Sequence, residues 1–263
     1  MAKHEVHFDD PRAYEQRMGV WSRLAGHIFV DWLALHSGLR WVDIGCGSGA
    51  FTEVIIGQCS PAEVQGVDLS EAQLAFACSQ PALRRAKFRE GDAMALPFPE
   101  NTFDVAAMAL VIFFLTDPIK AVAEITRVVR PGGTVASYAW DMLGGGFPQE
   151  SIQAEMRAMG IPTMPIPSPK ASRMETLRDL WTGAGLSSVD TREITVQRAF
   201  EDFDEFWTKS LSGSTFGSTI SAMNAGDVEL LRARVRRRLA TDAAGRILCD
   251  GRANAIKGTV PYN

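Results

Sequence analysis

Three glycines at alternate positions, directly after a short apolar run, constrain this chain more than any other feature. Residues 41–52 read Trp41-Val-Asp43-Ile-Gly45-Cys46-Gly47-Ser-Gly49-Ala50-Phe-Thr52. An apolar strand that turns through glycines into a helix lets the backbone approach a polar ligand at the helix N-terminus, because no Cβ stands in the way. Nineteen residues past Gly49, Asp68 closes the next apolar run, Val64-Gln-Gly-Val67. A carboxylate at the end of the second strand is placed to grip a ribose diol. The pattern predicts a nucleoside-like cofactor held between two strand ends.

Periodicity extends this into a fold. Trp21, Leu24, Ala25, Ile28, Trp32 and Leu35 recur at helical spacing and mark an amphipathic helix ending near Gly38. Ser70-Glu-Ala-Gln73 makes a capping box after the second strand, and Thr116-Asp117-Pro118 opens a further helix that stops before Pro131-Gly-Gly. A strand through Thr134 to Ala139 follows. Five strand–helix alternations in the first 140 residues predict right-handed crossovers and an α/β doubly wound, mostly parallel sheet. Beyond them, Met174 to Trp181 reads as a helix, Gly185 to Val196 as a strand and Arg246 to Ile256 as a terminal strand.

Two stretches exceed what such a core needs. The expected division is residues 1–140 as the cofactor-binding core with its N-terminal helix, 141–172 as a cap or hinge insertion, and 173–263 as the remainder of the core. Gly144-Gly-Gly146 followed by Pro162, Pro165, Pro167 and Pro169 reads as a mobile hinge and an extended segment. A helical cap insertion is expected at about 200–241 within the last part.

Charge narrows the partners. A formal net charge of −4 and a pI near 5.6 argue against general nucleic-acid binding, which needs many cationic groups, and favour a small-molecule partner. The run Arg232 to Arg238 is basic, yet Val228, Leu231, Val235 and Leu239 recur beside it at helical spacing, which favours a solvated helix face. The longest apolar run, Val105 to Leu115, is too short to cross a bilayer, and no signal-peptide progression opens the chain. Cys46, Cys59, Cys78 and Cys249 show no C-x-x-C spacing, so reduced thiols and a cytoplasmic location are expected. His4-x-x-His7 lacks accompanying ligands, so no metal is assigned.

The glycine run also satisfies a loose dinucleotide fingerprint, Gly45-x-Gly47-x-x-Ala50, so it does not name the cofactor alone. The surrounding motifs do more. Asp43 precedes the first glycine by two residues; Glu90-Gly-Asp92-Ala-Met-Ala-Leu-Pro97, Asn101-Thr-Phe-Asp104 and Val129-Arg-Pro131-Gly-Gly133 follow in order. At these motifs the chain resembles the class I S-adenosylmethionine (SAM) dependent methyltransferases, specifically the bacterial small-molecule group, type 11-like, with a D-x-G-x-G-x-G loop.

The resemblance implies a Rossmann-like seven-stranded sheet with an antiparallel last strand, SAM as cofactor and S-adenosylhomocysteine as product. It also implies the ligand contacts. Gly45, Cys46 and Gly47 would present amides and carbonyls to the methionyl part. Asp68 would take the ribose hydroxyls, Leu69 would pack on the adenine, Asp92 would take its amino group and the Ala93 amide a ring nitrogen. Ala109 and Leu110 either floor the sulfonium site or are plain core. Asp43 either orders the loop or reaches a cationic amino group. Tyr14-x-x-x-Met18-Gly19-x-Trp21-Ser22 is similar to a pattern that folds over the cofactor in one branch of the family, making Tyr14, Met18 and Trp21 contacts; its alternative is a segment packed on the core.

Transfer from a sulfonium is an in-line displacement that needs alignment more than a strong base. Relatives often carry a histidine after the fourth strand, but no histidine follows His36 here, so no catalytic residue is assigned. Tyr138, Asp141 or the substrate itself would have to handle a proton. Phe113, Phe114, Trp140, Phe203, Trp207 and Phe216 either build an aromatic acceptor pocket or belong to the core. The readings carried forward are a methyltransferase acting on a small molecule, a non-catalytic SAM-binding sensor or partner subunit, and, less favoured, an NAD-dependent oxidoreductase.

Overall fold

The structure, a computed structural model, describes residues 11–163 and 165–262. His4 and His7 lie outside the described residues.

One sheet organises the molecule. Its strands are β1 (Arg40–Ile44), β2 (Glu63–Asp68), β3 (Ala86–Glu90), β4 (Phe103–Ala109), β5 (Val129–Trp140), β6 (Ser187–Phe200), β7 (Ala240–Thr241) and β8 (Ile247–Thr259). They lie in the order β3-β2-β1-β4-β5-β8-β6, with β7 paired to β8. The first five pair in parallel, and β8 runs antiparallel to both β5 and β6. The doubly wound α/β expectation therefore holds, with one amendment to the strand count: the two-residue β7 makes the sheet eight-stranded.

The helices are α1 (Pro11–Tyr14), α2 (Val20–Leu33), α3 (Ala50–Val54), α4 (Glu71–Ser79), α5 (Pro118–Val128), α6 (Glu150–Ala158), α7 (Met174–Gly183), α8 (Phe203–Leu211), α9 (Thr215–Ser221) and α10 (Ala225–Arg236). A π-helical turn, Glu15–Gly19, joins α1 to α2. Local chemistry sets several starts. Ser70 accepts from the Gln73 amide at 3.3 Å and Asp117 from the Lys120 amide at 3.0 Å, each satisfying an amide that the first helical turn leaves open. One expected alternation lacks its helix. The chain passes from β3 to β4 through a turn stretch, 91–102, in which Pro97 and Pro99 deny the backbone the donors a helix needs.

The core is continuous. Residues of β1, β4 and β5 such as Ile44, Ala107 and Tyr138 are fully buried, and Trp21, Phe29, Phe51 and Trp181 close over them from the helices. Neighbouring strand order reverses at β1 and β4, which places a crevice at their carboxyl ends.

The glycine-rich stretch after β5 is pinned rather than loose. Arg252 on β8 pairs with Asp141 at 2.8 Å and donates to the Gly144 carbonyl, while the Gly146 amide donates to the Asp141 carbonyl. The basic run on α10 is likewise engaged. Arg234 and Arg238 converge on the buried Glu155 of α6, and Arg232 and Arg236 lie over the Phe203 ring. A solvated face thus describes only part of α10; the rest joins it to α6 and α8. Among the described residues no helix is long and apolar enough to cross a membrane.

Candidate functional site

At the crevice between β1 and β4, a cavity is lined by Tyr14, Asp43, Gly45, Cys46, Gly47, Ala109 and Leu110, all seven singled out from the sequence. Ser22, Ser48, Ala50 and Phe51 complete the lining. The glycines are required by backbone geometry: Gly45, Gly47 and Gly49 all have positive φ, at 69°, 52° and 87°. A Cβ on Gly45 would overlap the Val111 side chain, whereas one on Gly47 would meet nothing closer than 3.9 Å. The open side of the turn is therefore at Gly47.

The expectation that this turn presents amides needs correcting. The Gly45 and Cys46 amides both donate to the Val67 carbonyl, at 2.7 and 3.0 Å, and the Gly47 amide donates to Asp68 Oδ2 at 2.8 Å. Those donors are consumed in tying the turn to the end of β2. The Cys46 carbonyl in turn accepts from the Gly49 amide at 2.9 Å, which leaves the Gly45 and Gly47 carbonyl oxygens, with their partial negative charge, as the open polar atoms of the turn's backbone.

Asp68 itself is fixed from both sides. Its Oδ1 accepts from the Ser70 amide at 2.8 Å, and burial raises its pKa against the lowering effect of these amides. Asp43 is fully buried beneath the turn; Thr52 Oγ1 donates to Oδ2 at 2.6 Å, and Oδ1 has no protein partner. Burial pushes the Asp43 carboxyl up to about 7. Burial, with Asp43 and Asp68 nearby, pushes the Cys46 thiol well above its usual range and disfavours the thiolate.

The other expected contacts stand elsewhere. Leu69 is 65% exposed at the carboxyl end of β2. Asp92 follows β3 and accepts from the Met94 amide at 2.8 Å, and Ala93 beside it is buried. These three face the same end of the sheet but do not line the cavity. Met18 and Trp21 are buried in the core, Trp21 edge-on to Trp140 with ring centroids 6.5 Å apart. Tyr14 alone of the N-terminal trio reaches the cavity, its phenol held neutral by burial, with a pKa of about 12.

The sequence reading missed what fastens that segment. Glu15 accepts from Ser48 Oγ at 2.6 Å, bonding the N-terminal turn to the glycine turn, and Arg23 bridges Glu15 to Glu53 of α3. Gly19 makes room for this, because a Cβ there would overlap the Glu15 carboxylate. A Glu four residues before a glycine is the only local sign. Leu110 was legible by position, but its left-handed φ of 64° was not. That strain, held by its amide on the Tyr138 carbonyl at 2.8 Å, sits where the cavity floor needs a sharp turn.

Neither residue considered as a base is available. Tyr138 hydroxyl is fully buried, donates to the Ser22 carbonyl at 3.1 Å and packs on Phe29 and Phe51. Burial raises its pKa strongly. Asp141 is spent on Arg252 and the Gly144 amide. Of the candidate aromatics, Phe113, Trp140, Phe203, Trp207 and Phe216 are buried in the core and Phe114 packs partly buried against it. At the end of β5 and the start of α6, however, Trp140 Nε1, Gln149 Oε1, Ser151 Oγ and Gln153 Nε2 are buried with no protein partner. The four cysteines are unbridged, and no group of three His, Cys, Asp or Glu side chains among the described residues can hold a metal.

The chain is similar to known proteins in part of its sequence and in its fold. Residues 42–137 match a family described as "Methyltransferase domain". An uncharacterised methyltransferase of Schizosaccharomyces pombe is 36% identical over 123 residues, covering 42% of this chain and 44% of the relative. A demethylmenaquinone methyltransferase of Staphylococcus aureus is 33% identical over 105 residues, covering 39% and 44%. The chain thus spans under half the length of these curated relatives. In fold it is similar to a Haemonchus contortus phosphoethanolamine N-methyltransferase solved with S-adenosyl-L-methionine, with a TM-score of 0.62, 19% identity and coverage of 100% of this chain and 62% of that one. Residues 42–137 thus carry the features of a methyltransferase domain, and the fold around them is one that SAM-binding methyltransferases share.

Proposed function

We propose that this protein transfers the methyl group of SAM to a small-molecule acceptor by in-line displacement. The observation that carries the reading is the character of the glycine turn. With its first amides consumed by Val67 and Asp68, the turn offers carbonyl oxygens and, beneath them, the unpartnered Asp43 Oδ1. Acceptors and a carboxylate suit an ammonium and a sulfonium; a dinucleotide's pyrophosphate requires donors at that place. This argues for SAM over NAD. The cradle also fits in shape, since Gly47 leaves open the space a side chain would fill.

In this reading Asp68 accepts from the ribose hydroxyls with the lone pairs its two amide donors leave open. Exposed Leu69 covers one adenine face, and Asp92 with the Ala93 amide meets the adenine edge. Tyr14 closes the cavity from above, held in place by the Glu15–Ser48 bond, while Met18 and Trp21 support it from the core. Ala109 and the strained Leu110 form the floor opposite the glycine turn. When bound, SAM supplies an electrophilic methyl on a good leaving group. The protein contributes alignment, exclusion of water by Tyr14 and the cap, and carbonyl oxygens against the positive charge.

The acceptor is proposed to approach from the cap side, where the unpartnered polar groups of Trp140, Gln149, Ser151 and Gln153 give it hydrogen-bonding partners. Without an available base, the acceptor's proton passes to solvent, from a thiol before attack or from the ammonium that a neutral amine becomes after it. The four free thiols support a cytoplasmic location, and the net charge of −4 argues against nucleic acid as acceptor. Titration calorimetry with S-adenosylhomocysteine and with NAD tests the cofactor; incubation of small-molecule extracts with methyl-labelled SAM tests the transfer. Binding of NAD in preference to adenosylhomocysteine refutes the first. Cofactor binding with no label transferred to any extract refutes the second.

A further inference from the structure

Arg17 is a charged side chain where the fold gives it no counter-charge. It lies in the π-helical turn Glu15–Gly19 and is 6% exposed. Its Nε donates to the Ser212 carbonyl at 3.1 Å and its Nη2 to the Gly213 carbonyl at 3.4 Å, both at the carboxyl end of α8. The guanidinium carbon stands 5.7 Å from the centre of the Tyr14 ring, and Tyr14 lines the cavity. Among the described residues no carboxylate pairs with it, although Arg23, six residues on, holds two.

A guanidinium removed from water without an anion is costly; carbonyl dipoles and a ring face offset only part of that. A planar fork of N–H donors with its Nη1 group uncommitted to protein is the arrangement that receives a carboxylate in two parallel bonds. Burial also presses the Arg17 pKa down, the direction a nearby anion would reverse.

We propose that Arg17 is an anion-binding residue of this site, receiving a ligand carboxylate at the seam between the N-terminal turn and the cap. The assignment rests on the proposed methyltransferase reading. Two sources share the chemistry: the α-carboxylate of the cofactor's amino-acid tail, with its ammonium on Asp43, or a carboxylate carried by the acceptor. Because the same side chain holds the Ser212 and Gly213 carbonyls, the ligand that reaches it also fixes the cap.

Full-length protein and its Arg17→Met and Arg17→Lys variants are titrated with S-adenosylhomocysteine and with methylthioadenosine, which keeps the adenosyl group but lacks the amino-acid tail. Retained methylthioadenosine binding shows that a variant is folded at the site. If the cofactor supplies the carboxylate, Arg17→Met weakens adenosylhomocysteine at least about tenfold and leaves methylthioadenosine unchanged, with Arg17→Lys in between. If the acceptor supplies it, both nucleosides bind all proteins alike. The adenosylhomocysteine complex of the wild type is then stabilised by acetate over chloride at equal ionic strength, and that of Arg17→Met is not. Equal behaviour of wild type and Arg17→Met in both measurements overturns the proposal and leaves the cofactor reading intact. Failure of the wild type to bind either nucleoside sinks the cofactor reading instead.

Discussion

Asp68 Oδ2 accepts a hydrogen bond from the Gly47 amide at 2.8 Å, across a sequence separation of 21 residues. The carboxyl end of β2 and the turn after β1 are thereby one rigid piece. A ligand meeting either meets both. Replacing Asp68 with Ala removes this bond and the one from Ser70, and is expected to weaken S-adenosylhomocysteine by about tenfold or more, since bonds to a charged acceptor contribute roughly 1.5–3 kcal/mol. Calorimetry checks it; unchanged affinity would contradict the role given to Asp68.

Asp43 should make both stability and binding depend on pH. Its folded pKa, about 7, lies above its ordinary 3.8, so the folded chain holds a proton that the unfolded chain releases between those values. Stability therefore falls as pH rises from about 4 to about 7 and levels off above. Asp43→Asn should flatten that slope in denaturant titrations. Binding has the opposite sign: a cationic ligand group favours the ionised carboxylate, so adenosylhomocysteine affinity of the wild type should rise through pH 7, and that of Asp43→Asn should not.

Gly45→Ala is expected to fail twice. Alanine at a φ of 69° is strained, and its Cβ meets Val111. A loss of about 1–3 kcal/mol of stability follows, read from urea unfolding. Cofactor binding should fall further than stability does, because the turn cannot relax without shifting the carbonyl oxygens proposed to meet the cofactor.

Tyr138→Phe separates a structural hydroxyl from a catalytic one. The hydroxyl bonds the Ser22 carbonyl inside the core, so its loss should cost about 1 kcal/mol of stability. Adenosylhomocysteine affinity should stay unchanged, and so should the pH profile of methyl transfer measured with labelled SAM. A changed profile would restore Tyr138 as a proton carrier.

Glu155 links α6 to α10 through Arg238 and Arg234, whose hydrogen bonds hold its carboxyl below the ordinary 4.5. That contribution is present above the unfolded value and disappears as pH falls through the folded one. Glu155→Gln should speed amide hydrogen exchange in α6 and α10 at neutral pH, with β1 and β4 unaffected. In the wild type the same two helices should loosen first on acidification.

Much of this was legible in the sequence because it is local. The glycine turn declares itself by spacing, since positive φ at three alternate positions admits little else. Asp43 and Asp68 are found by counting from it, and Ser70 and Asp117 cap helices through bonds spanning three residues. Alternating apolar segments imply parallel strands, and so a crevice at their carboxyl ends that brought seven chosen residues to one cavity. What the sequence could not settle was direction and partnership. Which of the turn's amides are spent depended on the Val67 carbonyl and the Asp68 carboxylate, supplied by another strand. The availability of Tyr138 and Asp141 as bases was decided by Ser22 and Arg252, each more than a hundred residues away along the chain. The basic run on α10 became a clasp only because Glu155 is folded against it. Spacing along a chain fixes backbone conformation and which face a residue occupies. Burial and hydrogen-bond pairing between distant segments arise only on folding, and those determine whether a polar group is spent inside the protein or left for a ligand.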